Sequence, residues 1–158
     1  MEDISPSQLR KVFGQYPTGV TVVTTAKSSG EPVGMTVNSF ASVSLSPPLV
    51  LWSIDRGGDA HDIYTAASHF CVHVLAEDQE DLSSRFASSE ENRFAEIEWT
   101  RGEFGSPLLS DYLCRIQCRS ENVFDGGDHS IILGRVALVE NNEHQKPLVF
   151  HQGSYKQL

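Results

Sequence analysis

The tetrapeptide Asp125-Gly126-Gly127-Asp128 stands between two long segments of strand-forming residues, 113–124 and 129–140, and nothing else in the chain limits the fold so strongly. Glycine reaches positive φ without a steric penalty, so the pair supplies the tight turn of a hairpin, and strands joined so closely run antiparallel. Shorter β-branched or alternating runs follow the same logic at residues 20–26, 33–37, 49–54, 69–75 and 147–150. Ser28, Ser29, Gly30, Glu31 and Pro32 provide the turn chemistry that returns the first of these runs into the second, and Pro47-Pro48 sets an extended start for the third.

Helical signals are short. Ser5 can cap a helix that holds Pro6 in its first turn, carries Leu9, Val12 and Phe13 on one stripe and ends near Gly14. Asp59 can cap a second through Ala67, and residues 78–87 read as a third with Leu82 and Phe86 turned inward. Residues 95–111 are expected to be irregular, anchored by Trp99, Phe104 and Pro107-Leu108-Leu109. The fold class is mainly β: an antiparallel barrel with short helices at the connections. With 158 residues, 39% of them hydrophobic, one domain over 1–158 is expected.

The net charge of -9, with acids concentrated between positions 77 and 98 and no basic cluster, argues against a nucleic-acid or anionic-membrane surface. A polar N-terminus and the lack of any eighteen-residue apolar run point to a soluble cytoplasmic protein. Cys71, Cys114 and Cys118 are odd in number and fit neither a disulfide framework nor a zinc site, so buried thiols are expected. Cys114 and Cys118 share a strand face roughly 13 Å apart, beyond disulfide reach. His69 and His73 lack partners at ligand spacing, so no metal is expected. No G-x-S-x-G turn supports a serine nucleophile.

Residues 34–53 thread six hydroxyls (Thr36, Ser39, Ser42, Ser44, Ser46, Ser53) and the Asn38 amide through an apolar strand-and-turn pattern. Such a surface suits a large, flat, polar ligand such as a flavin, whose ring edge needs in-plane donors and acceptors. A half-exposed hydroxyl-rich hairpin is the plainer alternative.

The order and spacing of several motifs resemble those of the flavin reductase-like proteins with an FMN-binding split barrel. These are the small NAD(P)H:flavin oxidoreductases that serve two-component monooxygenases. The motifs are Phe13 with Pro17-Thr18-Gly19-Val20, Gly34-Met35-Thr36-Val37-Asn38-Ser39-Phe40, Ser42-Val43-Ser44 with Pro47-Pro48-Leu49, Ser53, and residues 70–75. They continue through Gln79-Glu80-Asp81-Leu82 with Phe86, Gly105-Ser106-Pro107-Leu108, Gly127-Asp128-His129, Gly134-Arg135-Val136, and Pro147-Leu148 with Gly153 and Tyr155.

The resemblance implies a split β-barrel of Greek-key-like antiparallel strands. It implies an isoalloxazine edge against Thr36, Val37, Asn38 and Ser39, with Ser53 and Ile54 on the neighbouring strand. The phosphate end would lie near Asp55, Arg56, Gly57, Gly58 and the next helix start, where Arg56 offers a charge-assisted fork and the helix end free N–H groups. Asp59 stands where the family often has Ser or Thr, and His73 where asparagine is common. His129 is the implied catalytic residue, orienting a nicotinamide for hydride transfer. Gly153 and Tyr155 would close over the dinucleotide, and Phe86 would approach the flavin unless it is ordinary core.

The implied cofactors are FMN or FAD with NADH or NADPH as donor, bound without a G-x-G-x-x-G dinucleotide fold. A homodimer with each flavin near the subunit boundary and a partner monooxygenase are implied as well. The alternative is a flavin-binding carrier or sensor that kept the fold and lost the chemistry. A pyridoxamine-phosphate oxidase relative would need more basic residues than this chain has. The sequence leaves open FMN against FAD, NADH against NADPH, and a prosthetic against a diffusing flavin.

Overall fold

The computed structural model describes residues 4–143 and 145–158. Helix α1 (Pro6–Phe13) opens on a capping box in which the Gln8 N–H donates to Ser5 Oγ at 3.3 Å and the Ser5 N–H donates to Gln8 Oε1 at 2.9 Å. No residue of α1 is buried, so its apolar stripe faces outward.

A seven-stranded antiparallel sheet forms the body, in the order β3 (Pro32–Val37), β2 (Thr21–Ala26), β6 (His69–Val74), β9 (Cys114–Gly126), β10 (His129–Asn141), β5 (Pro48–Asp55) and β4 (Ala41–Leu45). The outermost strands, β3 and β4, are consecutive in sequence. Residues 38–40 between them return against β5, where Ser39 bonds the backbone of Ser53, and the sheet curls into a barrel whose two ends share one core.

Inside the barrel lie Val23, Val50, Trp52, Ile54, Tyr64, Phe70, Val72 and Ile132. Trp52 is fully buried and meets Tyr64 and Phe70 edge to face at centroid distances of 5.0 and 6.0 Å. A second core, of Val20, Val22, Leu75, Phe86, Phe94, Leu109 and Leu148, lies outside the barrel under α3 (Glu80–Ala87). Strand β2 separates the two cores and is buried on both faces. Its threonines therefore spend their hydroxyls on carbonyls, Thr21 on Val37 at 2.9 Å, Thr24 on Pro107 at 2.6 Å and Thr25 on His69 at 2.9 Å.

Some local expectations change. Residues 95–111 are not wholly irregular but hold the two-stranded pair β7 (Trp99–Arg101) and β8 (Pro107–Leu109). The segment 41–45, passed over in sequence, is β4, and the last expected strand is a small sheet of β1 (Thr18–Gly19), β11 (Val149–His151) and β12 (Ser154–Lys156). The β9–β10 turn is shorter than the tetrapeptide suggested, because pairing runs to Gly126 opposite His129 and leaves Gly127, at φ +82°, and Asp128 at the tip. Helix α2 (His61–Ala66) takes Ala60 as its N-cap with no side-chain cap bond, so Asp59 does not cap it. Cys71 and Cys118 are buried, whereas Cys114 is half-buried, and all three are free. No helix among the described residues is long and apolar enough to cross a membrane.

Candidate active site

One rim of the barrel gathers most of the candidate residues. Ser39 Oγ donates to the Ser53 carbonyl at 3.0 Å and accepts the Ser53 N–H at 2.9 Å, which sets residues 38–39 beside β5. Two residues beyond Ser53, Asp55 pairs directly with His129 across β5 and β10. The Asn38 segment and His129 therefore share an edge, separated by a few strand residues. Asn38 is exposed, while Ile54 is buried in the barrel core and offers the rim only its backbone.

His129 sits at the foot of the hairpin tip. Its Nδ1 lies 2.7 Å from Asp128 Oδ1, and that hydrogen bond holds the Asp128 carboxyl below its usual range. An ionised carboxylate only accepts, so Nδ1 carries the proton and a neutral imidazole presents Nε2 as an acceptor.

The adjoining loop, residues 55–61, is bound to this tip. The Arg56 N–H donates to the Asp128 carbonyl at 3.0 Å, and Arg56 Nε donates to the His129 carbonyl at 3.1 Å. Arg56 Nη2 pairs with Asp125 at 3.1 Å, and the Gly127 N–H together with this cation lowers the Asp125 pKa. Nε and Nη2 of the guanidinium expected to face a phosphate are thus engaged by protein acceptors. Asp55 turns inward on its own loop, its Oδ1 accepting the Gly57 N–H at 2.8 Å.

On the other side of Asn38, a cleft of about 200 Å³ is lined by Val20, Thr36, Val37, Ser83, Phe150 and Tyr155. Thr36 Oγ1 donates to the Ser83 carbonyl at 2.7 Å, and Ser83 Oγ meets Tyr155 Oη at 2.8 Å, so β3, α3 and β12 are wired together here. Tyr155 lies in this cleft. Gly153 does not: it lies in the β11–β12 turn at φ +78° and lines a separate hollow with Arg10, Lys11 and Gln152. Phe86 is buried against Gly34 and meets Phe94 edge to face at 5.0 Å, so it belongs to the core rather than to the cleft wall. A hollow of about 600 Å³ between residues 26–28 and α2 holds none of the candidate residues.

His73 is structural. It is fully buried, its Nδ1 donates to the Val22 carbonyl at 3.2 Å and its Nε2 accepts the Leu109 N–H at 3.1 Å. Sequence reading passed over Ser83 and His61. His61 Nε2 lies 2.9 Å from the buried Ser130 Oγ, and its Nδ1 lies 3.0 Å from Asp62. No local pattern marks that contact, because Ser130 is 69 positions away.

A family model described as the flavin reductase like domain matches residues 13–158. The chain is 42% identical over 154 residues to the "Flavin-dependent monooxygenase, reductase subunit HsaB" of Rhodococcus jostii, covering 98% of this chain and 78% of that one. It is 43% identical to the "FMN reductase (NADH) SmoA" of Agrobacterium fabrum, covering 92% and 82% of the two chains. Some other relatives are longer, and the chain spans 45% and 42% of two of them. Among solved structures, the Streptomyces globisporus NADH:FAD oxidoreductase SgcE6, in complex with NAD and FAD fragments, superposes with a TM-score of 0.91 at 40% identity. That match covers 100% of this chain and 97% of the other. With a family model spanning nearly the whole sequence and relatives this similar over almost all of it, the chain belongs to the flavin reductase like domain family.

Proposed function

We propose that this protein reduces flavin, FMN or FAD, by hydride transfer from NADH or NADPH, and supplies the reduced flavin to a partner monooxygenase. The observation that carries this reading is the shared rim, on which the exposed Asn38 amide and the His129 imidazole lie on either side of Ser53 and Asp55. The names of the relatives, an NADH-dependent FMN reductase and monooxygenase reductase subunits, support the same chemistry.

The residues fit such a ligand. Asn38 has an exposed amide able to donate and accept, and the cleft wall beside it is apolar at Val20, Val37 and Phe150 with polar groups at Thr36 and Tyr155. In the proposed arrangement Thr36, Val37, Asn38 and Ser39 flank the ring edge, with Ser53 and the Ile54 backbone alongside. Tyr155 covers the far side of the cleft. A bound flavin supplies the two-electron acceptor. The protein's part is orientation: in the proposed arrangement the nicotinamide docks beside His129, whose ring is held at Nδ1 by the Asp128 bond.

A cleft of about 200 Å³ is small beside the roughly 300–1,000 Å³ of small-molecule pockets, which favours completion by a second copy of the chain. The proposed assembly is a homodimer with each site near the boundary. Three free cysteines are in keeping with a reducing, cytoplasmic setting.

The test follows absorbance at the nicotinamide band with NADH or NADPH and excess FMN or FAD. Turnover with at least one pair is expected, and its absence with all four overturns the reading. His129→Ala is expected to slow hydride transfer by about a hundredfold while changing flavin affinity little.

A further inference from the structure

Three consecutive residues at the start of β10, Asp128 to Ser130, are each hydrogen-bonded to the loop that precedes α2 or to the first residue of that helix. The Asp128 carbonyl takes the Arg56 N–H, the His129 carbonyl takes Arg56 Nε, and Ser130 Oγ bonds His61 Nε2, at 3.0, 3.1 and 2.9 Å. Arg56 Nη2 adds a fourth tie to Asp125 on the opposite strand of the hairpin. The ring of His129 is thereby held from its own backbone by a segment 73 residues earlier.

We propose that Arg56 and His61 are positioning residues for His129 and that Arg56 is not a phosphate ligand. This inference rests on the hydride-transfer reading. Arg56 meets two acceptors from opposite strands of one hairpin through Nε and Nη2, so turning that edge of the guanidinium toward a flavin phosphate breaks both bonds. Only Gly127, at positive φ, and Asp128 lie beyond the last ladder pair, Gly126 with His129, and these two residues are the ones the Arg56 bonds flank. His61 serves the same end from the helix side. Its Nδ1–H is turned to the Asp62 carboxylate, which leaves Nε2 as the acceptor for the buried Ser130 hydroxyl.

FMN and riboflavin separate the two roles of Arg56, because riboflavin lacks the phosphate. Full-length Arg56→Met and Arg56→Lys are compared with the natural chain by single-turnover NADH oxidation with each flavin, and flavin Kd is measured by fluorescence on the same preparations. The positioning role predicts a rate loss of at least about tenfold with both flavins alike and an FMN Kd within about threefold of the natural chain. Lysine keeps the charge but not the fork, so it is expected to resemble methionine. His61→Gln, which retains an acceptor, is expected to recover more rate than His61→Ala. A loss confined to FMN, or an FMN Kd raised tenfold with riboflavin binding unchanged, makes Arg56 a phosphate ligand and overturns the proposal. Unchanged rates with both flavins overturn it as well. If the natural chain oxidises no NADH, the hydride-transfer reading fails and takes this inference with it. An active natural chain with indifferent Arg56 variants removes the positioning role alone.

Discussion

At the level of single residues, His73 shows how burial decides chemistry. Its ring lies between two backbone partners with no room for water, and burial pushes its pKa down to about 3 despite the Val22 carbonyl that favours the cation. In the unfolded chain the same imidazole titrates near 6.5. Below that pH the unfolded state takes up a proton that the folded state refuses. The contribution is therefore complete at neutral pH and is lost as pH falls from about 6.5 toward about 3, at roughly 1.4 kcal/mol per unit. The Asp128 and Glu140 carboxyls, held low by His129 and Arg115, enter only at more acid pH. His73→Asn keeps one donor and one acceptor without a titrating group. Urea midpoints at pH 7.5 and 5.0 are expected to differ less for this variant than for the natural chain, by about 2 kcal/mol in stability. The sequence marked His73 as a departure from its family, but its role could not be read there, since both partners arrive from distant strands.

Among elements, the docking of α3 on β3 turns on Gly34. A Cβ at that position would come within 2.5 Å of the Phe86 ring and 3.2 Å of Phe94, and both rings are buried with no space to retreat. Gly34→Ala is expected to cost about 1–3 kcal/mol, measured by urea unfolding, and to disturb the Thr36–Ser83 bond in the neighbouring cleft. Strands were legible from sequence for physical reasons: β2, β5, β6 and the first half of β10 carry buried stripes, and β9 with β10 are long strand-forming runs joined by a glycine turn. Strand β4 was not, because Ala41, Ser42 and Val43 are exposed and its pattern carries no buried stripe. The three-residue strands β7, β8, β11 and β12 are too short for any period to register. Asp59 offered the right chemistry for a cap at the wrong position by one residue, and Ala60 took the place without a side-chain bond.

For the whole molecule, the unburied apolar residues carry the most information. Val12, Phe13 and Tyr16 are each at least 65% exposed on or just after α1, and Leu45 at the end of β4 is 96% exposed. A chain with a net charge of -9 has no use for such patches in isolation, and a second copy is the proposed cover. Sedimentation is expected to report twice the 17.4 kDa of one chain, and Phe13→Glu with Leu45→Glu is expected to shift the mass toward a single chain and to lower turnover. A monomer with full activity would remove the shared-boundary site. The placement of residues 38–40 beside β5 uses the Ser39 hydroxyl together with core packing of Val37 and Phe40, and no local pattern announces either contact.

The wiring of the cleft carries a consequence for what the wall can recognise. Thr36 and Ser39 have each turned their single hydroxyl proton onto a carbonyl, so those side chains greet a visitor with lone pairs alone. Donation along this stretch falls to peptide nitrogens and to the Asn38 amide, which is exposed just past the end of β3. A guest on this wall would meet Thr36 and Ser39 already fixed by their bonds, with Asn38 left to adjust its rotamer.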